Sequence, residues 1–296
     1  MEAWERDPSK PNPFEVKSNS VTQATVRLQL AQEESDLAEL SIHLDVSPSI
    51  LISTGIDLED QQRRLQADLV KLGSHATEQQ KIKIQQRTNA LKRHIEKWVG
   101  VQILYMPAVA SLRARVVTVP ETTLRSQDFP LWLPSAIHRQ VPCDATLEEI
   151  EWRLRIGQAH DGLEELRQML RSHAYMLRFK DRFLRSQGAN TRARNSLKSV
   201  DAKVNAAAAK YRAAHSALST LSPFLKKVGW NKTLRLLKDK DIRSMTEGTD
   251  ERFSEGQQRL SWIWLSCGYT EGCSTSTEDD SEELQEGVLV SITYFL

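Results

Sequence analysis

From Thr146 to Gln187 the sequence contains no proline, and Trp152, Ile156, Ala159, Leu163, Leu166, Leu170, His173, Leu177, Lys180 and Leu184 recur in steps of four and three. Such steps keep every member on one stripe of a 3.6-residue helix, so the spacing predicts one long amphipathic helix. Gly188 offers a left-handed stop and Asn190 a new N-cap. Leu197, Val200, Val204, Ala207, Tyr211, Ala214, Leu218 and Leu221 then resume the rhythm. A long helical hairpin is expected, and the rest of the chain has to pack against it.

The same periodicity organises the N-terminal half. Val21, Ala24, Leu28, Ala31, Ser35, Ala38 and Ile42 form a small-sided stripe, with Leu30, Leu37, Leu40 and Leu44 on a neighbouring face. Ser47 followed by Pro48 is a cap with proline at the first helical position. The helix it opens runs to about Leu72 on a seam of Leu51, Gly55, Leu58, Gln62, Leu65, Leu69 and Leu72, in which Gly55 and Gln62 are the weak positions. Gly73-Ser74-His75-Ala76 is short enough to send the next helix back antiparallel. That helix starts at the cap Thr77 and carries Ile84, Thr88, Leu91, Ile95, Trp98, Gln102 and Tyr105, so Pro48 to Tyr105 reads as an antiparallel coiled-coil hairpin. Pro107 either kinks its end or starts a short helix through Arg115.

Pro120, Pro130, Pro134 and Pro142 break the rhythm between Arg115 and Cys143. Phe129 to Leu133 is too apolar to be left in water, so this non-helical segment is expected to dock on the bundle and link its two halves. Pro223 ends the last long helix, Trp230 to Met245 reads as a shorter basic one, and Leu260-Ser-Trp-Ile-Trp-Leu265 closes the ordered part. The fold class is all-α: an elongated antiparallel helical bundle with coiled-coil hairpins. Its parts are a proline-rich arm (1–18), a bundle (19–115) containing the 48–105 hairpin, a docking loop (116–144), the long hairpin with C-terminal helices (145–268), and an acidic disordered tail (269–296).

Several chemistries are excluded by what the residues lack. GxGxxG, GxxxxGK and GxSxG do not occur, which removes the usual phosphate cradles and the nucleophile elbow. Cys143, Cys267 and Cys273 form no CxxC, and the seven histidines form no HExxH and no i, i+4 pair, so neither a disulfide framework nor a metal site is expected. His173, on the seam, is expected to be a hydrogen-bonded core residue. Glu148, Glu149 and Glu151, with Asp144 ahead of them, suit a helix N-terminus better than catalysis. Only Arg115–Val119 and Val288–Phe295 look strand-like, too few to build a sheet that holds paired metals. No catalytic residue and no cofactor are expected. No window reaches the roughly 18 apolar residues of a membrane span, and the N-terminus lacks a signal-peptide core, so the protein is expected in a reducing compartment, away from membranes and not secreted.

The net charge of +1 conceals a local asymmetry. Arg178 to Arg212 holds ten Lys or Arg against Asp181 and Asp201, a net +8, while Glu271 to Gly287 holds seven acids and no base. Clustered cations near a helix start suit a polyanion, which makes Arg178, Lys180, Arg182, Arg185, Arg192, Arg194 and Lys198 candidates for contact with a phosphate backbone. The competing reading is a solvated face neutralised by acids of the first three helices. Phe179, Phe183 and Tyr211 fall at core-like spacing, so base stacking is not expected. The partners in view are nucleic acid, through the basic hairpin, and a second copy, through the helical seams.

Three passages carry a resemblance: Met1-Glu-Ala-Trp-Glu-Arg-Asp-Pro-Ser-Lys-Pro-Asn-Pro-Phe-Glu, the run Arg178-Phe-Lys-Asp-Arg-Phe-Leu-Arg-Ser-Gln-Gly-Ala-Asn-Thr-Arg-Ala-Arg-Asn, and Leu260-Ser-Trp-Ile-Trp-Leu265. Together they resemble the C-terminal portion of fungal KDZ (Kyakuja-Dileera-Zisupton) transposases, which are associated with a cysteine-cluster domain. In that family a cysteine cluster and a nuclease core of the RNase H type precede the proline-rich arm. The resemblance therefore implies a truncated, non-catalytic copy, nuclear in location, whose basic hairpin supports DNA binding or assembly. After Leu284-Gln-Glu-Gly287 the family continues into a helix rich in Arg and Trp, whereas this sequence runs Val288-Leu-Val-Ser-Ile-Thr-Tyr-Phe-Leu296, in the manner of a decayed copy.

Overall fold

Ser47 and Thr77 start two helices by the chemistry their positions suggest. The Ser47 hydroxyl accepts from Ile50 N–H ahead of Pro48, and Thr77 forms a reciprocal capping box with Gln80. The computed structural model describes residues 21–38, 46–73, 76–116, 125–137, 140–245 and 260–266, and every regular element among them is helical. The helices are α1 (Gln23–Ala38), α2 (Pro48–Lys71), α3 (Glu78–Tyr105), α4 (Val109–Val116), α5 (Pro134–Ile137), α6 (Ala145–Phe183), α7 (Gln187–Leu221), α8 (Trp230–Thr233) and α9 (Trp262–Leu265). Single 3-10 turns lie at Ser126–Asp128 and Asp239–Asp241. The all-α class is as expected. The 1–18 arm, the 269–296 tail, Cys267, Cys273 and the strand-like Val288–Phe295 lie outside the described residues.

α2 and α3 pair as the hairpin that their seams specify. Leu51, Leu58 and Leu65 are buried from α2, Leu91, Ile95 and Trp98 from α3, and the Trp98 indole N–H donates to Leu51 O at 2.9 Å. Toward the free end the seam opens: Leu69, Ile84 and Thr88 are half-buried, while Val70 and Ile82 are exposed. Of the two outcomes open at Pro107, the second occurs, with α4 following the C-cap at Met106. Arg115 and Val116 close α4, so the strand considered from Arg115 begins as helix.

Gly55 and Gln62, the weak seam positions, are where the 125–137 segment docks. A Cβ on Gly55 would lie 2.7 Å from a Leu133 methyl and 2.9 Å from the Trp98 ring, so only glycine admits that approach. Gln62 donates its amide to Ser126 O and Phe129 O, and Gln102 donates to Leu131 O and Trp132 O at 3.0 and 2.8 Å. Trp132 sits at φ 56°, a left-handed bend. Docking is as expected, but the segment is not free of helix: Pro134 takes the first position of α5, where its missing N–H costs nothing.

α6 is the hub, packed by α1, α2, α5, α7 and α9. α1 meets it at Gly157, where a Cβ would fall 2.8 Å from the Gln23 backbone, and Gln23 N–H donates to Asp161. The face that α1 buries differs from the expected stripe: Val26 and Leu30 are buried and Leu28 is exposed. A Val–Leu pair one turn apart covers more apolar area than the alanine-flanked Leu28 stripe, and area decides the rotation.

α6 and α7 form the long hairpin, burying Leu163, Leu166 and Leu170 against Val204, Ala207, Tyr211, Ala214 and Leu218. Two boundary details differ from the sequence reading. Ser186, not Asn190, is the N-cap of α7, accepting from Ala189 N–H, and Gly188 lies inside the helix. Leu184 and Ser186 are extended, so the turn needs no left-handed glycine. Trp230 to Met245 is also not one helix. Leu234 and Leu237 dock in the α6–α7 core, and Tyr211 OH and Arg212 Nε bond the carbonyls of Arg235 and Leu237, which a helix would have used internally. α9 is held by Arg167, which donates to Ile263 O and Ser266 O, and by the Trp264 indole on Arg243 O.

Candidate nucleic-acid interface

The turn 184–186 brings the ends of α6 and α7 together, and the seven candidate cations gather around it. Arg178, Lys180 and Arg182 lie on the last turns of α6, Arg185 is in the turn, and Arg192, Arg194 and Lys198 lie on the first turns of α7. All are exposed except Lys180, which is half-buried. Among the described residues none of the seven has an ion-pair partner. Of the wider run of ten, Lys210 and Arg212 do, on Glu165 and Asp239.

Neutralisation by the first three helices is not what these contacts show. Acids of α1 and α2 are taken by other arginines: Glu33 by Arg153, Asp57 by Arg27, Asp60 by Arg63 and Arg64, and Asp68 by Arg87 of α3. The Arg153 bond holds the Glu33 carboxyl below its ordinary range. His173, expected in the core, is instead half-buried, with Nε2 3.1 Å from Asp201 Oδ1. Because α7 begins at Gln187, Arg192 stands more than a turn inside it, and Ser186 already occupies the Ala189 N–H. The cations, more than free backbone donors, then make this end attractive to anions.

The aromatic assignment also changes. Tyr211 is buried as expected, but Phe179 and Phe183 are exposed, as is Tyr175 one turn earlier. The helical period holds; what fails is its reach, because α7 has too few large side chains ahead of Leu197 to cover this end of α6. Tyr175 was missed because it lies off the seam, and its four-residue spacing from Phe179 was the available signal.

A second polar cluster, also missed, lies at the start of α6. Asp144 caps Thr146 N–H and Glu149 pairs with Lys227, as first-turn acids are expected to do. Glu151 does something else: fully buried, it accepts from Ser135 N–H and Oγ, both at 2.7 Å, and from the Arg155 guanidinium at 3.0 Å. Arg155 also meets Glu59 at 2.8 Å and Gln158 at 3.0 Å. Burial opposes its charge, but Glu59 and Glu151 outweigh that and hold it above its usual range. The i, i+4 spacing of Glu151 and Arg155 was readable; Ser135 and Glu59 were not. Nearby, burial first and then Glu148, Glu151 and Asp144 push the Cys143 thiol up to about 12, which makes it a poor nucleophile.

Among the described residues no cluster of three or more His, Cys, Asp or Glu is placed to hold a metal, and no helix is long and apolar enough to cross a membrane. No family model, curated protein or solved structure matches the chain.

Proposed function

We propose that the protein is a non-catalytic helical module that binds nucleic acid through the phosphate backbone, using the basic end of the α6–α7 hairpin. One observation carries this reading: seven cations converge on one end of the long hairpin with no ion-pair partner among the described residues. Keeping such a concentration of charge unpaired is unfavourable for the isolated chain, and a polyanion relieves it by releasing counterions. The resemblance to KDZ transposases implies the same partner and a nuclear location. The acids that open α6 are occupied by capping and by pairing with Lys227 and Arg155, which favours a non-catalytic role.

Salt dependence tests the proposal. Contacts to four to six phosphates give a log–log slope of affinity against salt of about −4 to −5 on duplex DNA. Replacing Arg192, Arg194 and Lys198 together with Ala should weaken binding to all sequences alike and flatten the slope by about three. An absence of binding at low salt, or an unchanged slope, would favour the second reading, an oligomerising scaffold. That reading draws on Val70 and Ile82, exposed where the α2–α3 seam opens, and sedimentation with Val70→Lys would test it.

A further inference from the structure

At the basic end, Tyr175, Phe179 and Phe183 are 71, 46 and 60% exposed. Steps of four place them in one row along α6, and Arg178 and Arg182, three residues after Tyr175 and Phe179, run beside it. The Phe179 and Phe183 ring centres are 5.1 Å apart, and the Arg182 guanidinium lies 5.7 Å from the Phe183 ring. Between the two helix ends opens a groove of about 360 Å³, with Tyr175, Met176 and Phe179 on one wall and Arg192 and Ala193 on the other.

We propose that this groove takes the unpaired bases of a single-stranded nucleic acid, stacked on Tyr175 and Phe179, with Arg178, Arg182 and Arg192 holding the flanking phosphates. This deepens the polyanion reading and rests on it. Phosphate binding alone needs no exposed aromatic row, and a row of rings has no use for the bases of a duplex, whose faces are already stacked. Interleaved rings and cations are the pairing that single strands require, since every base has a π-face and every linkage a negative charge. Charge selects against the other occupant of an apolar groove: a second copy of this end would bring the same unpaired cations into contact with themselves.

The test uses the full chain, at matched salt concentrations from low salt upward, with three oligonucleotides of equal length: a thymidine strand, an abasic strand with the same backbone, and a duplex. Titration by fluorescence anisotropy should show the thymidine strand binding at least about fivefold more tightly than the abasic strand, the lower end of what base–aromatic stacking contributes. Phe179→Ala and Tyr175→Ala, both at exposed positions, should each remove about fivefold or more for the thymidine strand while leaving the abasic strand, the duplex and the salt slope unchanged. The abasic comparison needs no variant, so a folding defect cannot obscure it. Equal affinity for thymidine and abasic strands overturns the inference and leaves the polyanion reading standing. Failure of all three to bind at low salt overturns both. Self-association that Phe179→Ala abolishes makes the groove a contact between copies and also overturns the inference.

Discussion

Gln62 and Gln102 show how a single polar side chain acts inside a helical seam. Each stands where the period calls for an apolar residue, and each donates from one amide nitrogen to two carbonyls of the docked segment. Changing Gln102 to Leu keeps the volume but leaves Leu131 O and Trp132 O without donors, so a loss of about 2 to 4 kcal/mol in urea unfolding is expected. A change under about 0.5 kcal/mol would mean that water replaces the amide. His160 acts differently. Burial, followed by the charge of Arg167, lowers its pKa from 6.5 to about 4. Between those values the unfolded chain binds the proton and the folded one does not, so stability falls as the pH drops from about 6.5 to 4. The full effect is about 3 kcal/mol. His215, lowered by its own burial, acts in the same direction. His160→Gln should shallow the fall across that window, and an equal fall in the two proteins would remove His160 as its cause.

Among the helices, α2 and α3 depend on each other for burial of their seams. Leu65 and Leu91 occupy the last well-covered layer before the seam opens toward Val70 and Ile82. Leu65→Ala and Leu91→Ala should each cost roughly 2 to 4 kcal/mol, because a rigid hairpin refills a cavity only partly. Since the two are expected to share a layer, the double variant should cost less than the sum, and strict additivity would show that they do not. α6 and α7 use the opposite size pattern, with leucines on α6 facing alanines on α7 around Ala207 and Ala214. The small side allows close approach there, while at the far end the start of α7, without large side chains before Leu197, leaves Tyr175 and Phe179 in water.

Across the residues from Thr22 to Ser266, which form one unit, α6 ties the N-terminal helices to the C-terminal ones. The buried Glu151–Arg155 pair sits at that joint, linking α6 to α2 through Glu59 and to α5 through Ser135. Removing only the cation, as in Arg155→Met, strands a buried carboxylate and should cost about 3 to 5 kcal/mol. Adding Glu151→Gln should recover part of that loss, because the uncompensated charge goes with it. A double variant less stable than Arg155→Met would show that Glu151 does not depend on Arg155.

The sequence by itself determined the long helices. The seams of α2, α3, α6 and α7, the caps Ser47 and Thr77, and the docking of Phe129 to Leu133 all follow from rules that act within about one helical turn or from local apolar density. The concentration of charge around residue 185 was equally legible, because it depends on counting alone. Tertiary structure decided which face of α1 is buried, why Leu234 and Leu237 leave the helical path, and which acids reach which arginines. It also decided that Phe179 lies in water although its spacing matches a core position. Each of those outcomes depends on what stands opposite a side chain, and the opposing residue is fixed by packing between segments up to a hundred or more positions apart, as Arg153 and Glu33 are.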